Sequence, residues 1–168
     1  MNESPTDQTK GNTIDFPLWR LLGHTSYLVG RARECELAEL KLTPEQAYVL
    51  DILHAAGGTT TINRIVAMTQ RKHNSISALV DRMARQRLVK KTRNRRDRRV
   101  FSIHSTPKGE ALLAKVPRES LHQAFSCLEP GEKKDLARLL QMVMEHAYRL
   151  AGTESPIPPY SEEDSAKG

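Results

Sequence analysis

Positive charge concentrated in one segment is the most chemically distinctive feature of this 168-residue sequence. From Arg71 to Arg99 there are 12 lysines and arginines but only two acids, Asp81 and Asp97, which gives a net charge of +10. The rest of the chain carries 14 basic and 18 acidic residues, a net charge of −4. A basic stripe on a mildly acidic body indicates a polyanionic partner. The alternative is a solvated charged face, although such faces usually mix the two signs.

The first half of this basic segment combines side chains that hydrogen-bond to bases with side chains that neutralise phosphates. Asn74 can make two hydrogen bonds to adenine, and Ala78 can contact a thymine methyl group. Ser75 and Ser77 can bond to bases or phosphates. The cationic or groove-facing neighbours that complete this candidate DNA-binding set are Arg71, Lys72, His73, Arg82 and Arg85. Asp81 is expected to pair with Arg85, an effect of about 0.3–0.5 kcal/mol. Helix capping and a solvated helix face are the alternative roles.

The second half is a loop too charged to pack, and its candidate DNA-binding residues are Arg93, Arg95, Arg96, Asp97, Arg98 and Arg99. Asp97 and Arg99 are two residues apart, so they project to one side of an extended segment. An arginine in a narrow A·T-rich minor groove responds to the enhanced negative potential there. In the alternative interpretation, the Asp97–Arg99 pair only stabilises a hairpin.

Helix-start signals and apolar periodicity predict mostly helices before and within this segment. A first helix is predicted over residues 17–40 from an apolar face formed by Leu18, Leu21, Leu22, Tyr27, Leu28, Ala32 and Cys35. Thr43, Pro44 and Gln46 form a capping box that starts a second helix, and Gly57-Gly58 ends it. A short helix over residues 62–68 follows, capped by Thr61. Residues 72–86 predict a fourth helix whose buried stripe is Ile76, Leu79, Val80 and Met83.

Two strands and two helices are predicted after it. Residues 88–92 and 100–105 are the expected strands on either side of the charged loop. Thr106-Pro107 starts a helix that is expected to run to about residue 127, and Pro130-Gly131 precedes a last helix to about residue 150. The fold class is mainly α with a small β-hairpin wing, that is, a winged helix-turn-helix plus N- and C-terminal dimerisation helices. Pairing with a second copy is the economical way to bury the apolar faces of the outer helices.

Four short motifs follow one another along the chain: Leu79-Val80-Asp81-Arg82-Met83, Leu88-Val89, Asp97-Arg98-Arg99 and Ser105-Thr106-Pro107-Lys108-Gly109. In this order and spacing they resemble the MarR family of bacterial and archaeal transcription regulators, over about residues 17–150. Arg87 departs from the family pattern, which often has glycine there, and a left-handed backbone at Arg87 would cost about 1 kcal/mol. The fourth helix also lacks the common serine N-cap, because the chain has Arg71-Lys72-His73-Asn74 there.

The resemblance implies a homodimer on double-stranded DNA, with the fourth helix in the major groove and the hairpin in the minor groove. It implies that Asp97 orients Arg99, which enters the minor groove. It also implies release from DNA by a small aromatic or anionic effector, bound between the dimerisation helices and the DNA-binding lobe. The candidate pocket residues are Trp19, His24, Tyr27, Tyr48 and His54, and an ordinary core or surface role is the alternative for each.

The sequence gives no support to several other classes of site. Cys35 and Cys127 are far apart and exclude a disulfide framework or zinc finger. Cys35 is expected to be a small buried residue rather than a redox sensor. The six histidines lack ligand spacing, so no metal and no cofactor are expected. The chain is expected not to be an enzyme, because it has no Gly-rich phosphate loop, nucleophile elbow or recognisable pair of carboxylates.

The polar N-terminus and the lack of any apolar run near the roughly 20 residues of a membrane span predict a cytoplasmic protein without a membrane partner. The expected organisation is a flexible tail over residues 1–15, a dimerisation helix over 16–42, a winged helix-turn-helix DNA-binding lobe over 43–105, dimerisation helices over 106–150 and a flexible tail over 151–168. The predicted function is a dimeric, sequence-specific transcriptional regulator, a ligand-responsive repressor of a palindromic operator. The alternative is a winged-helix architectural or partner-binding protein of low sequence specificity.

Overall fold

The computed structural model describes residues 14–93 and 101–153. In chain order its elements are α1 (Asp15–Ala38), α2 (Pro44–Ala55), β1 (Thr59–Thr61), α3 (Ile62–Thr69), α4 (His73–Arg85), β2 (Val89–Arg93), β3 (Phe101–Ser105), α5 (Pro107–Leu113), α6 (Glu119–Phe125) and α7 (Pro130–Leu150). Most of each predicted tail and the charged tip between β2 and β3 lie outside the described residues. The prediction of a mainly helical chain with a small β-wing is confirmed.

The caps of the helix-turn-helix form as predicted. Thr43 Oγ1 accepts from the Gln46 amide at 3.3 Å, and Gln46 Oε1 accepts from the Thr43 amide at 3.0 Å. Thr61 Oγ1 likewise accepts from the Arg64 amide at 3.3 Å at the start of α3. The predicted stripe of α4 is buried beneath the helix, at no more than 5% exposure, and consists of Ile76, Leu79, Val80 and Met83. These caps and this stripe hold α2, α3 and α4 on one apolar core.

A three-stranded antiparallel sheet closes this core, in the order β1-β3-β2. Val89 faces Ser105 across the hairpin, and Thr59 faces His104 on the other side of β3. The His104 ring joins the three strands, since Nδ1 lies 3.1 Å from Thr59 Oγ1 and Nε2 lies 2.8 Å from Thr92 Oγ1. β1 was not predicted, because three threonines have no alternation of apolar and polar residues and become a strand through their pairing with β3.

The outer helices leave their apolar residues uncovered in the single chain. Of α1, only Leu37 belongs to the buried core. The exposed large apolar side chains of α1 include Phe16, Leu18, Trp19, Leu21, Leu22, Tyr27 and Leu28, and those of α7 include Leu139, Leu140, Met142, Val143 and Leu150. The two helices therefore present apolar surface that the chain itself does not bury.

One predicted helix is two helices, and this prediction was wrong. The helix expected from Thr106 to about residue 127 ends at Leu113, and α6 begins at Glu119. Pro117 lies in the gap, where it has no amide hydrogen to donate and disfavours helical backbone at Val116. Smaller differences concern boundaries only: α1 begins and ends two residues before the predicted range, and β2 is shifted by one residue.

The turn from α4 into β2 is packed tightly against the start of α5. Arg87 has a φ of 60°, a left-handed conformation that favours glycine. Thr106 Oγ1 donates to the Arg87 and Leu88 carbonyls, at 2.8 and 3.0 Å, and Lys108 Nζ donates to the Gln86 carbonyl at 2.8 Å. A Cβ on Gly109 would overlap the Leu88 carbonyl oxygen. This position therefore requires glycine because two backbones approach closely.

Gly109→Ala is expected to destabilise the lobe by about 1–3 kcal/mol, because the added methyl forces α5 away from the Leu88 carbonyl. Urea denaturation followed by circular dichroism measures the change. Gly131→Ala is the matched control, since nothing lies within 4 Å of a Cβ built there. Equal stabilities of the two variants would contradict the close-approach argument.

Candidate nucleic-acid interface

The exposed side of α4 carries the residues predicted to meet DNA. Lys72 is the N-cap and makes no side-chain capping bond, so the first turn of α4 opens to solvent. Ser77 is half-buried. The other predicted residues of this helix and its approach are exposed: Arg71, Lys72, His73, Asn74, Ser75, Ala78, Arg82 and Arg85. The structure thus exposes eight of these nine residues on α4 or in the two residues before it.

Two of the charges on this surface have protein partners. Arg71 Nη2 lies 3.5 Å from Glu45 Oε1 at the start of α2, and both side chains are about half exposed or more, at 62% and 47%. Such an exposed pair contributes little and leaves Arg71 accessible. Asp81 pairs with Lys91 of β2, at 2.8 Å, and the predicted Asp81–Arg85 pair was wrong. Lys91 belongs to the neighbouring strand, so residue spacing along α4 does not indicate this long-range contact.

The β2–β3 hairpin carries its cations beside α4. Arg93 is exposed at the end of β2, with its guanidinium carbon 5.7 Å from the centre of the Phe101 ring. The other predicted wing residues lie outside the described residues: Arg95, Arg96, Asp97, Arg98 and Arg99.

A cavity of about 440 Å³ lies between the winged lobe and the outer helices. Apolar side chains from α2, α5 and α6 form much of its wall, and its polar lining residues are Arg33, Tyr48, Asp51 and Arg118. Tyr48 is the one predicted pocket residue in this wall, whereas His54 lines an adjoining cavity of about 670 Å³. Trp19, His24 and Tyr27 lie on the exposed part of α1 and line neither cavity. Three further lining residues were not predicted, because the packing of elements distant in sequence brings them together: Arg33, Asp51 and Arg118.

Tyr48 connects this cavity to the helix-turn-helix. Its hydroxyl donates to the Met68 carbonyl at 3.3 Å, near the C-terminal end of α3. Burial raises the pKa of the Tyr48 hydroxyl, and the neighbouring Asp51 and Tyr148 raise it further. The phenol therefore stays protonated at neutral pH and remains a hydrogen-bond donor.

A polar clamp on one wall of the cavity joins α1 to α6. Arg33 Nη1 lies 2.6 Å from Glu36 Oε2, and the side chains are only 16% and 12% exposed. Arg33 also donates to the Pro117 carbonyl, and Glu36 accepts from the Ser120 amide at 2.9 Å and from the Ser120 hydroxyl. Burial raises the pKa of the Glu36 carboxyl, but the hydrogen bonds from Ser120 and Arg33 outweigh it, so the pKa lies below its usual value.

Both cysteines are exposed in the single chain, so the expectation that Cys35 is buried was wrong. Cys35 lies later in α1 than the exposed apolar residues of that helix.

Within the described residues, no three histidine, cysteine, aspartate or glutamate side chains form a group that could hold a metal ion. In the same part of the chain, no helix is long and apolar enough to cross a membrane.

A helix-turn-helix backed by a three-stranded sheet, with a hairpin beside the second helix, defines a winged-helix protein. Residues 40–100, from the start of the lobe into the hairpin, match the MarR family model. No curated protein shows significant sequence similarity to the chain.

Solved structures show the same fold over a longer part of the chain. A mutant of MarR from E. coli, complexed with operator DNA, superposes with a TM-score of 0.70 at 22% identity, covering 76% of this chain and 93% of that one. AbsC, a MarR family transcriptional regulator from Streptomyces coelicolor, gives 0.73 at 22% identity, covering 80% and 95%. The organohalide-sensing transcriptional regulator RdhR, in its 2,4-dichlorophenol-bound form, gives 0.78 at 20% identity, covering 96% and 99%. The chain therefore has the winged-helix fold of these structures.

Glu36→Gln is expected to lower the free energy of unfolding by about 1–3 kcal/mol at pH 7, because it removes a charged acceptor from a mostly buried clamp. The pKa of Glu36 is lower in the folded chain than in the unfolded chain, where it is about 4.3. The clamp's contribution is therefore complete above that unfolded value and is lost as the pH falls through the lower folded value. The difference between wild type and variant should shrink below about pH 4, as measured by urea denaturation at a series of pH values.

Glu34→Gln is the matched control for this pH dependence. Glu34 pairs with Arg31 in the same helix at 2.6 Å, but both side chains are about half exposed. Its removal should change stability by less than about 1 kcal/mol at every pH. A Glu36→Gln effect that is constant from pH 7 to pH 3 would contradict the role assigned to the ionised carboxylate.

Proposed function

We propose that this protein is a dimeric, sequence-specific DNA-binding transcription regulator, most simply a ligand-responsive repressor that binds a palindromic operator. The observation that carries the proposal is the exposed polar and basic side of α4 beside a basic hairpin, in a lobe that matches the MarR family model. A regulatory rather than catalytic role and a cytoplasmic location, where such an operator lies, are part of the proposal.

The chemistry of α4 suits the major groove. Ala78 is small and exposed, so it lets the helix approach the base edges closely, and Asn74 can read an adenine with two hydrogen bonds. Arg82 and Arg85 lie in the last turn of α4 and would meet phosphates. In the wing, Arg99 would enter the minor groove with its guanidinium oriented by Asp97, as the resemblance implies.

The uncovered apolar surface of α1 and α7 supports a homodimer. Leu21 and Leu28 of α1 are each 64% exposed, and Met142 and Val143 of α7 are 56% and 58% exposed. Apolar side chains exposed in such numbers mark an interaction site. A second copy covers it with twofold symmetry and places two winged lobes on two half-sites of a palindrome, about one helical turn apart.

The cavity between the lobe and the outer helices supports an effector site. Its volume of about 440 Å³ is in the usual range for small-molecule pockets, and its wall combines apolar side chains with Arg33, Arg118 and Tyr48. A small aromatic or anionic compound fits this lining with its rings on the apolar wall and its charge at Arg118, because Arg33 is already paired with Glu36 and Asp51 would repel an anion. Release of bound DNA by a panel of small aromatic acids tests this part of the proposal.

The alternative is an architectural or partner-binding winged-helix protein, which would bind duplexes by shape and charge. The exposed Asn74 and Ala78 favour the operator-specific function, since base-reading groups add nothing to shape recognition. Competition with unrelated duplex separates the two hypotheses, because only an operator-binding protein retains its selected duplex in excess competitor.

A duplex selected by the wild-type protein from a random-sequence pool should be bound with a strong salt dependence. With six to ten phosphate contacts, affinity should fall about 10³–10⁵-fold between 50 and 200 mM salt.

Asn74→Ala should reduce discrimination at one base pair by about 1–3 kcal/mol, measured by fluorescence anisotropy with mutated duplexes. Asn63→Ala, an exposed asparagine on α3, is the matched control. A flat salt response, or equal losses for both asparagines, would contradict the proposed interface.

Leu21→Glu combined with Val143→Glu should convert the dimer to a monomer, because each adds a charge to the apolar surface that the second copy would bury. Analytical ultracentrifugation measures the mass, and Lys115→Glu, outside α1 and α7, is the control for an added acid. A wild-type protein that sediments as a monomer at micromolar concentration would contradict the dimeric proposal.

Arg99→Ala should instead reduce DNA affinity strongly, while the variant still sediments as a dimer.

A further inference from the structure

One ion pair joins the recognition helix α4 to the wing. Lys91 Nζ lies 2.8 Å from Asp81 Oδ1 and 4.4 Å from the centre of the Phe101 ring. The Lys91 side chain is 21% exposed, against 53% for Asp81. The ammonium group is therefore held between a carboxylate on α4 and an aromatic ring on β3, and its charge is directed into the protein.

The register of the hairpin explains why this lysine points toward α4. Lys91 faces Ile103 across the ladder, and directly opposite residues in an antiparallel pair project to the same side. Ile103 is fully buried, so Lys91 lies on the core side of the sheet, where the hairpin extends beyond the apolar core. Arg93 and Phe101 form the next pair on that side. Lys90 projects to the opposite, exposed side and has no such role.

We propose that Asp81 and Lys91 are positioning residues that set the wing against the recognition helix, so that both elements reach their grooves at the same time. This inference rests on the proposed DNA-binding function. Asp81 lies on the exposed side of α4 among the candidate DNA contacts, where a bare carboxylate would repel phosphates. In the pair with Lys91, the same carboxylate holds the wing against α4.

The sign of one substitution separates positioning from simple electrostatics. Asp81→Asn removes a negative charge near DNA and, if charge alone mattered, should tighten binding. If the carboxylate holds the wing, the same change should weaken binding to the selected duplex by about threefold to tenfold, the scale of an exposed to half-exposed ion pair. The slope of affinity against salt should stay close to that of wild type, because no phosphate contact is removed.

The lysine is tested against its neighbour on the same strand. Lys91→Met should weaken binding to the selected duplex more than Lys90→Met, although each removes one positive charge from β2. Asp81→Lys combined with Lys91→Asp exchanges the two charges and keeps the net charge. This double variant should recover at least half of the binding free energy that Asp81→Asn loses. Circular dichroism confirms folding of each variant, and Lys91→Arg serves as the conservative variant that should retain binding.

A second readout does not depend on DNA. In wild type, ring currents of Phe101 should shift the Lys91 side-chain proton signals upfield, and Asp81→Asn should reduce this shift while Asp135→Asn on α7 leaves it unchanged. Tighter DNA binding by Asp81→Asn, or an unchanged Lys91 signal in that variant, would overturn the inference. If the wild-type protein binds no selected duplex, the proposed function fails, and the Lys91 signal still decides whether the pair holds the wing.

Discussion

The turn from Gln86 to Leu88 is the constraint on which the winged lobe depends. Here α4 ends, β2 begins, and the first turn of α5 lies directly against both, because Gly109 has no side chain to keep the backbones apart. Gln86 also accepts a hydrogen bond from the buried Gln46 of α2, at 2.8 Å. One turn therefore fixes the C-terminal end of α4 against α2, the hairpin and α5. The left-handed backbone of Arg87 is the conformational cost of making that turn without glycine.

The opposite end of α4 lacks a side-chain cap. Lys72 makes no capping bond, and within the described residues Arg71 pairs with the exposed Glu45. The Tyr48 hydroxyl, which donates to the Met68 carbonyl, connects α2 to the end of α3 just before this turn. Because Tyr48 also lines the cavity, a molecule bound there would meet the side chain that supports the turn before α4. The geometry thus links this cavity to the N-terminal end of α4.

Local signals were sufficient for most of the fold, and long-range contacts account for the rest. The Thr43 capping box, the Thr106 cap and the stripe of α4 depend on residues within one or two turns, and all were predicted. Pro117 indicates the break between α5 and α6, but apolar residues on either side of it favoured the prediction of one continuous helix. β1, the Asp81–Lys91 pair and the contact of Glu36 with Ser120 could not be predicted, because each joins segments whose separation in sequence gives no spacing rule.

The positive charge of the segment from Arg71 to Arg99 has two uses, which the composition alone does not distinguish. Lys91 is committed to Asp81 and Phe101 within the protein, and Arg71 is shared with Glu45. Just outside the segment, Lys108 is committed to the Gln86 carbonyl. In the proposed complex with DNA, a cation held as closely as Lys91 would release few counterions and add little to the salt dependence of affinity, whereas Arg71 stays accessible. The net charge of +10 is therefore an upper bound on the charge that would meet phosphate in that complex.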